Sequence, residues 1–337
     1  MPKTSPQIGQ HLFIGLAGTE LTLASRRLLN TVQPGGIVLF ARNCESEIQL
    51  REFCGAIQNE CSFRPLIAID QENGRVNRLR QILGELPTIA QLKRSGTTGP
   101  VEEFARQMGQ SLHRLRIDVN FAPVLDLELF EEQPVNALQE RCWGRSADEV
   151  IRWAGAFLNA MEAEGVAACP KHFPGLGGAT IDSHEQLPTI ARSSAQILGE
   201  DVRPYQTWIE KLSMIMVSHG HYPALDGPKP LPASLSRNVM TRLLRKELGY
   251  RGLILTDDME MGAITQFGSV GAAAVEAFCA GADMLLVCHT AEKVLAAHES
   301  LTKAAEQGKI PARRLQESAE RIAQFHAKWI ERKAESA

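Results

Sequence analysis

The segment VAACPKHFPGLGGATIDSH, residues 166–184, passes directly from a buried type of strand into a polar loop. Residues 166–169 form a short apolar run, and Lys171 and His172 follow at the position where such a strand ends. Pro174 then interrupts any regular ladder, because it lacks a backbone N–H donor. Three glycines follow, and they let a backbone adopt positive φ or approach a ligand closely. We therefore predict a mobile loop at the end of this strand.

The loop ends in Asp182-Ser183-His184, which places a carboxylate two residues before an imidazole. A carboxylate in this position can hydrogen-bond the histidine, fix its tautomer and raise its pKa, which makes the ring a usable general acid near neutral pH. A glycine-rich turn alone is a weak signal, and a Lys-His pair at a strand end is equally typical of a solvated rim. Their combination within one short segment favours a functional site.

The same change from apolar strand to polar loop recurs along the chain, with helical patterns of ten or more residues between. Continuously apolar strands are typical of parallel strands buried on both faces. Eight strand–helix units predict an α/β protein with a single (β/α)8 TIM barrel, one domain over residues 1–337. The predicted strands are residues 11–16, 36–40, 66–69, 119–125, 166–169, 214–218, 252–255 and 284–288. The predicted helices are residues 22–31, 45–59, 101–115, 147–164, 195–211, 237–248, 270–280, 291–307 and 311–331.

The composition is that of an ordinary globular protein. The 337 residues are 44% hydrophobic and 22% charged, with a net charge of -3 and a pI near 6.3. This length is common for one α/β barrel, and we expect a monomer. Because Lys and Arg are scattered along the chain, neither nucleic acid nor a membrane surface is an expected partner. No apolar run approaches the length of a membrane span.

The cysteines and the amino terminus both favour a reducing compartment. Seven cysteines occur without a CxxC motif, several of them inside apolar runs, which is typical of reduced core thiols. The amino-terminal sequence MPKTSPQIGQHLFIGLAG lacks the basic start and the longer apolar region of a signal peptide. We therefore expect a cytoplasmic protein.

The polar residues that close the predicted strands are the candidates for an active site, because sites in this architecture lie at the carboxyl ends of the strands. Acids, bases and cations gather there. They are Asp70, Glu72, Arg75 and Arg78 after strand three, Asp126 after strand four, Lys171 and His172 after strand five, His219 and His221 after strand six, Asp257 and Asp258 after strand seven, and His289 after strand eight.

Asp257 is a candidate nucleophile facing an acid carried by the loop. In a retaining glycosidase one group attacks the anomeric carbon, and a second protonates the leaving oxygen and later activates water. His184, supported by Asp182, would be that second group. The pair Asp257-Asp258 is equally typical of a helix N-cap. Adjacent carboxylates also serve enzymes in which the acetamido group of the substrate attacks, and the pair alone does not exclude this route.

Three other classes remain open from the residues alone. A Schiff-base aldolase would use Lys171, but the sequence around it shows no apolar shell that would lower its pKa. A non-enzymatic sugar-binding barrel would have no use for an acid on the loop. A metal-dependent barrel hydrolase is the third class, and its possible ligands are His172, His184, His219, His221 and Asp257.

A series of separated motifs resembles glycoside hydrolase family 3, and within it the β-N-acetylhexosaminidases of NagZ type. The resemblance covers nearly the whole chain and follows the order of the family. The motifs are GGIVLF at 35–40, DQE at 70–72, NFAPVLD at 120–126, KHFPG at 171–175, DSH at 182–184, PASLS at 232–236 and TDD at 256–258.

This resemblance implies a retaining hydrolase with a covalent glycosyl intermediate on Asp257 and no metal or organic cofactor. It implies His184 as the acid/base, with Asp182 as its partner. The implied substrate carries a non-reducing GlcNAc, β-1,4-linked to 1,6-anhydro-N-acetylmuramic acid with or without a stem peptide, from peptidoglycan recycling. A β-glucosidase of the same family is the alternative. The residues implied to bind the sugar are Asp70, Arg78, Arg141, Lys171 and His172, with His219 near the site.

Four positions depart from the family pattern. Leu176 stands where the family has histidine, Asn73 replaces a glycine, Thr256 replaces a serine, and residues 141–144 read RCWG instead of RSFG. We expect Leu176 to alter how the loop closes and Trp143 to reshape the sugar pocket. None of the four touches the nucleophile or the acid.

Overall fold

The computed structural model describes residues 7–130, 138 and 140–331. Within them, eight short strands form one parallel sheet. They are β1 Leu12–Gly15, β2 Gly36–Leu39, β3 Leu66–Ile69, β4 Val119–Asn120, β5 Ala167–Ala168, β6 Met214–Val217, β7 Leu253–Asp258 and β8 Met284–Val287. The order across the sheet is β5-β4-β3-β2-β1-β8-β7-β6, so neighbouring strands follow one another around a barrel.

The sheet closes between β5 and β6 through the residues that follow β5. The N–H of Met216 donates to the carbonyl of Pro170 at 3.0 Å, and the N–H of Phe173 donates to the carbonyl of Met216 at 2.9 Å. Residues 170–173 therefore run beside β6 and complete the barrel. The predicted (β/α)8 fold is confirmed, and the backbone that closes it carries Lys171 and His172.

Helices surround the barrel. They are α1 Leu23–Val32, α2 Glu47–Glu60, α3 Arg80–Leu83, α4 Ile89–Lys93, α5 Gly99–Arg114, α6 Ala147–Ala163, α7 Ser194–Gln196, α8 Arg203–Trp208, α9 Pro223–Asp226, α10 Gly262–Thr265, α11 Val270–Ala280, α12 Ala291–Glu306 and α13 Ala312–His326. Segments with π-type hydrogen bonding are Ile197–Asp201, Asn238–Glu247 and Ala327–Glu331, and 3-10 turns are Ile8–His11, Ala41–Asn43 and Ala233–Leu235. No described helix has both the length and the hydrophobicity of a membrane span.

Prolines explain two differences from the predicted elements. The predicted helix over residues 195–211 is divided into α7, a π-type segment and α8, because Pro204 cannot donate to a carbonyl one turn earlier. The predicted strand over residues 119–125 keeps only β4 as a regular ladder, because Pro123 has no N–H.

The carboxyl-terminal helix seals one end of the barrel. Ile322 and Phe325 of α13, together with Trp329, join an inner apolar cluster that contains Phe13 of β1 and Phe121 beyond β4. This end holds the amino termini of the strands. The open end of the barrel therefore lies at the carboxyl ends of the strands, where the candidate residues are.

Asp283 joins α13 to the sealed end, and we expect its loss to be strongly destabilising. This buried carboxylate forms ion pairs with Arg245, Arg314 at 3.3 Å and Arg321 at 3.0 Å. Asp283→Asn would leave three guanidinium groups without their counter-charge, and breaking a buried ion pair costs about 3–5 kcal/mol. The free energy of unfolding in urea measures the change.

Glu299→Gln is the matched control, because its ion pair with Lys303 is exposed and its loss should leave stability unchanged. Burial raises the pKa of Asp283, but the three guanidinium groups outweigh it and hold this pKa below its ordinary value. The ionised Asp283 carboxylate thus makes its full contribution to the free energy of unfolding above its pKa in the unfolded chain, about 3.9. This contribution is lost as pH falls through the lower pKa of Asp283 in the folded protein. A stability difference between the two forms that does not shrink on acidification contradicts this assignment.

Candidate active site

Asp257 lies at an irregularity in β7. Leu255 pairs with Met284 of β8, but Asp258 pairs with Leu286, so β7 contains one more residue than β8 between the two pairs. The hydroxyl of Thr256 accepts the N–H of Leu286 at 3.2 Å at this bulge. Bulges commonly redirect a side chain next to an active site, and Asp257 lines the central cavity. Threonine supplies the same hydroxyl as the serine of the family pattern.

The surroundings of Asp257 favour an ionised carboxylate. Burial raises the pKa of Asp257, but three histidines around it, His219, His172 and His184, together with the N–H of Asp258, bring it below the ordinary value. The N–H of Asp258 donates to Oδ1 of Asp257 at 2.8 Å. An ionised carboxylate held in this way is suited to act as a nucleophile.

His184 and Asp182 form a hydrogen-bonded pair on the loop. Nδ1 of His184 lies 2.7 Å from Oδ1 of Asp182, which also accepts the backbone N–H of His184 at 2.9 Å. Burial raises the pKa of Asp182, but these hydrogen bonds outweigh it and lower the pKa. Since the carboxylate accepts the Nδ1 proton, Nε2 is the nitrogen left to exchange a proton with a substrate. The His184 side chain is 63% exposed.

The loop is attached to the segment that follows Asp257. The N–H of Gly262 donates to the carbonyl of His184 at 2.9 Å, and the N–H of Ala263 donates to the carbonyl of Ser183 at 3.2 Å. A Cβ at Gly262 would lie 2.1 Å from the carbonyl oxygen of Glu185, so only glycine permits this approach. The attachment brings Asp257 and His184 to one cavity of about 730 Å³.

The glycines of the loop serve packing. A Cβ at Gly175 would lie 2.6 Å from Cβ of Asp201, and one at Gly177 would lie 2.2 Å from the carbonyl oxygen of Leu127. Leu176 between them is buried, and its N–H donates to Oδ1 of Asp126 at 2.6 Å. Gly175 and Gly177 therefore allow the first part of the loop to pack closely against neighbouring segments. Mobility of the loop over residues 175–184 stays a prediction.

A buried ionic cluster forms one side of the cavity, with Glu72 at its centre. Arg141 donates to both Glu72 oxygens, from Nε at 2.9 Å and from Nη2 at 2.7 Å. Nζ of Lys171 lies 2.8 Å from Oε1 of Glu72 and also contacts Asp70. Burial raises the pKa of Glu72, but its two cationic partners reverse this shift and hold the pKa well below its ordinary value. Burial lowers the pKa of Lys171, but Asp70 and Glu72 outweigh it and raise the pKa.

Glu72 is a site residue to which the sequence assigns no role, and we expect Glu72→Gln to impair both binding and stability. The substitution removes the counter-charge that orients Arg141 and Lys171. Loss of one partner of a buried ion pair is worth about 3–5 kcal/mol, and we expect kcat/KM to fall about 100-fold. Steady-state kinetics and urea unfolding measure the two effects.

The control for Glu72 is Glu85→Gln, which alters only an exposed ion pair with Arg80. This variant should match the unaltered enzyme in both measurements. Native turnover by Glu72→Gln would contradict the proposed orienting role of Glu72.

His172 and Arg78 complete the charged side of the cavity. Nδ1 of His172 lies 2.6 Å from Oδ2 of Asp126, and both side chains are buried. The backbone of Arg78 is held by Gln71, whose Oε1 accepts the Arg78 N–H at 2.8 Å. Nε of Arg78 is buried and has no hydrogen-bond partner among the described residues. Arg78 and His172 both line the cavity with Asp70, Arg141 and Lys171.

His219 lies behind the cavity wall and not on it. It is fully buried, with Nδ1 2.7 Å from the Ser234 hydroxyl and Nε2 2.9 Å from the carbonyl of Asp258. Burial lowers the pKa of His219. Both ring nitrogens are thus used within the protein, which favours support of the Asp258 backbone over direct contact with a sugar.

The structure also shows the surroundings of His221, a possible ligand in the metal-dependent alternative, and of Trp143. Nδ1 of His221 lies 3.2 Å from the backbone nitrogen and 3.3 Å from the carbonyl oxygen of Leu231. The described residues contain no group of three His, Cys, Asp or Glu able to bind a metal ion. Trp143 is buried against Phe157 at 5.7 Å between ring centroids. Trp143 is not among the described residues that line the cavity, and its effect on the sugar pocket stays a prediction.

A barrel with a carboxylate and an imidazole at one charged cavity is the arrangement expected of a glycosidase, and comparison with known proteins identifies the family. Residues 7–325 match the glycosyl hydrolase family 3 N-terminal domain. The chain belongs to glycosyl hydrolase family 3, and it is a glycoside hydrolase, as the sequence motifs predict.

Relatives and solved structures extend along most of the chain. A β-hexosaminidase of Pseudomonas aeruginosa is 37% identical over 299 residues, 86% of each chain, and one of Nitrosomonas eutropha is 34% identical over 325 residues, 94% of this chain and 92% of the relative. The structure of a family 3 β-N-acetylglucosaminidase from Paenibacillus sp. str. FPU-7 superposes with a TM-score of 0.92 and is 34% identical in sequence. The match covers 97% of this chain and 63% of the Paenibacillus chain. NagZ from Neisseria gonorrhoeae in complex with N-trifluoroacetyl-D-glucosamine gives a TM-score of 0.76 at 26% identity, covering 94% of this chain and 97% of that one.

Proposed function

We propose that the protein is a retaining β-N-acetylglucosaminidase that removes a non-reducing GlcNAc residue. The observation that carries the proposal is that the half-buried carboxylate of Asp257 and the His184–Asp182 pair line the same cavity. The names of the relatives support this activity, as does the N-acylated glucosamine bound to the Neisseria gonorrhoeae protein.

In the proposed first step, a carboxylate oxygen of Asp257 attacks the anomeric carbon of the sugar. The glycosidic bond breaks as Nε2–H of His184 gives its proton to the leaving oxygen. Asp182 holds the other ring proton at Nδ1 and so keeps Nε2 directed at the substrate. The products of this step are a glycosyl ester on Asp257 and a neutral imidazole.

In the second step, His184 takes a proton from water at Nε2 while the water oxygen attacks the anomeric carbon. The ester bond to Asp257 breaks and the carboxylate is regenerated. Two displacements at one carbon retain its configuration. A neutral imidazole adds no second negative charge beside the ester and the acetamido group, which gives the histidine a physical rationale.

The charged side of the cavity is the proposed site for GlcNAc. Asp70, Arg78, Arg141, Lys171 and His172 supply hydrogen-bond partners for its hydroxyl and acetamido groups, and Glu72 orients two of the cations. We further propose a cytoplasmic monomer that acts on GlcNAc–1,6-anhydro-N-acetylmuramic acid and its peptides during peptidoglycan recycling. Seven free cysteines support the reducing compartment.

The deciding experiment compares an aryl β-GlcNAc with the matched aryl β-glucoside. We expect turnover of the GlcNAc substrate to be much the faster, with β-GlcNAc as the first-formed product by NMR. Preference for the glucoside would indicate a β-glucosidase, and loss of activity on treatment with a chelator would indicate a metal-dependent hydrolase.

A further inference from the structure

The cavity has two chemically different sides. The ionic cluster around Glu72 and its neighbours occupies the side formed by residues that follow β3 and β5. The residues that end β2, the neighbour of β3, and β8, two strands further round the barrel, are mainly apolar or aromatic and are not used by the chemistry above. They are Val38, Phe40, Leu286, Cys288 and His289.

Phe40 and His289 form the most prominent feature of this second side, and we name the two rings the aromatic wall. Their centroids lie 5.0 Å apart at an interplanar angle of 48°. The guanidinium of Arg42 lies 4.3 Å from the Phe40 ring centroid and is itself fixed by donation to the carbonyls of Leu16 and Cys288, at 3.2 and 2.9 Å. Arg42 therefore covers one face of Phe40 and holds the ring in place, so that only surfaces of the wall not covered by Arg42 are open to a ligand.

His289 is also held on its own strand end. Its backbone N–H donates to Oε1 of Glu260 at 2.6 Å, and its Nε2 lies 3.1 Å from Oδ2 of Asp258. The side chain nevertheless remains 50% exposed at the mouth of the cavity. A half-exposed ring that is fixed on two sides and lines a cavity is typical of a binding surface.

We propose that the aromatic wall is the subsite for the leaving group, and that it binds the second sugar ring of the substrate through its apolar C–H face. This inference rests on the proposed function. A pyranose presents C–H bonds on its faces and hydroxyl groups at its edge, so it is matched by an aromatic surface with a polar atom beside it.

The placement of the catalytic groups determines which side receives which sugar. Asp257 lies on β7, next to β8 in the barrel, and the loop that carries His184 is attached directly after β7 at Gly262. If GlcNAc occupies the ionic side, the bond to be broken lies at Asp257 and His184, and the leaving sugar extends to β8 and the mouth of the cavity. His289 lies there, and Phe40, which follows β2, packs against it.

The experiment compares two substrates that share GlcNAc and differ in the leaving group. The β-1,4-linked GlcNAc disaccharide has a second sugar, whereas β-GlcNAc fluoride releases only fluoride, which is too small to contact the wall. For each variant we take the ratio of kcat/KM on the disaccharide to kcat/KM on the fluoride. This ratio does not depend on the fraction of folded enzyme.

We expect the ratio to fall about tenfold or more in Phe40→Ala and in His289→Ala, because each loses apolar contact with the second sugar. Leu295→Ala is the matched control, since this exposed α12 residue lies outside the cavity, and its ratio should equal that of the unaltered enzyme. A ratio within about twofold of the unaltered value in either wall variant would overturn the proposal.

The unaltered enzyme separates this proposal from the function on which it rests. Turnover of the fluoride without cleavage of the disaccharide would overturn the aromatic wall as a sugar subsite and leave the proposed function intact. Turnover of neither substrate would refute the proposed function, and the proposal would fall with it.

Discussion

Asp257→Ala is expected to lower kcat/KM for an aryl β-GlcNAc by about 10⁴-fold or more, since it removes the group that forms the covalent bond. The substitution should leave the fold unchanged, because the N–H of Asp258 loses an acceptor but no structural ion pair is broken. Steady-state kinetics measures the loss. Near-native turnover would show that Asp257 is not the nucleophile.

Two additional measurements make this assignment specific. A fluorinated GlcNAc donor that slows the second step should leave a glycosyl adduct on Asp257, detectable by peptide mass spectrometry. Absence of the adduct in an active enzyme would favour attack by the acetamido group of the substrate. Asp258→Asn is the matched control, because it keeps the backbone N–H that contacts Asp257, and we expect it to lose only about tenfold.

His184→Ala is expected to show a loss that depends on the leaving group. General acid catalysis is worth about 10²–10⁴-fold when the leaving oxygen is strongly basic, so hydrolysis of a GlcNAc disaccharide should fall within this range. Formation of the glycosyl enzyme from an activated aryl substrate needs little protonation and should be nearly unchanged. Single-turnover kinetics on substrates of graded leaving-group pKa measures the difference.

Asp182→Asn tests the hydrogen bond between Asp182 and His184 while leaving the His184 imidazole in place. The amide cannot hold the Nδ1 proton as a carboxylate does, so the same leaving-group dependence should appear in weaker form. Equal losses of His184→Ala on all leaving groups would exclude a general acid role and favour a structural one.

The arrangement of strands and the location of the site follow from sequence pattern alone. Continuous apolar runs locate the strands, and the rule that sites lie at their carboxyl ends selects Asp70, Lys171 and Asp257. Strand ends are less predictable, since Pro123 shortens β4 and residues 170–173 replace a regular ladder between β5 and β6.

Sequence could not reveal features that depend on contacts between distant segments. Glu72 is visible as a polar residue after a strand, but its function arises from Arg141, 69 positions away. The bulge at Thr256 depends on the register between β7 and β8, and the sequence pattern of neither strand predicts it. The glycines of the loop predict mobility, but the sequence does not show that Gly175 and Gly177 also permit close packing. The carboxyl ends of the strands locate a histidine at 219 but do not say whether it faces the cavity.

The position of α13, which covers one end of the barrel and follows every strand in the sequence, has a consequence for folding during synthesis. All eight strands precede α13 in the chain. The ribosome therefore synthesises the strands before α13, whose residues cover the apolar cluster inside the barrel at the amino-terminal ends of the strands. The nascent barrel therefore exposes Phe13 and its neighbours until the last helix is released. This interval is where we expect the growing chain to be most dependent on chaperones and most prone to aggregate.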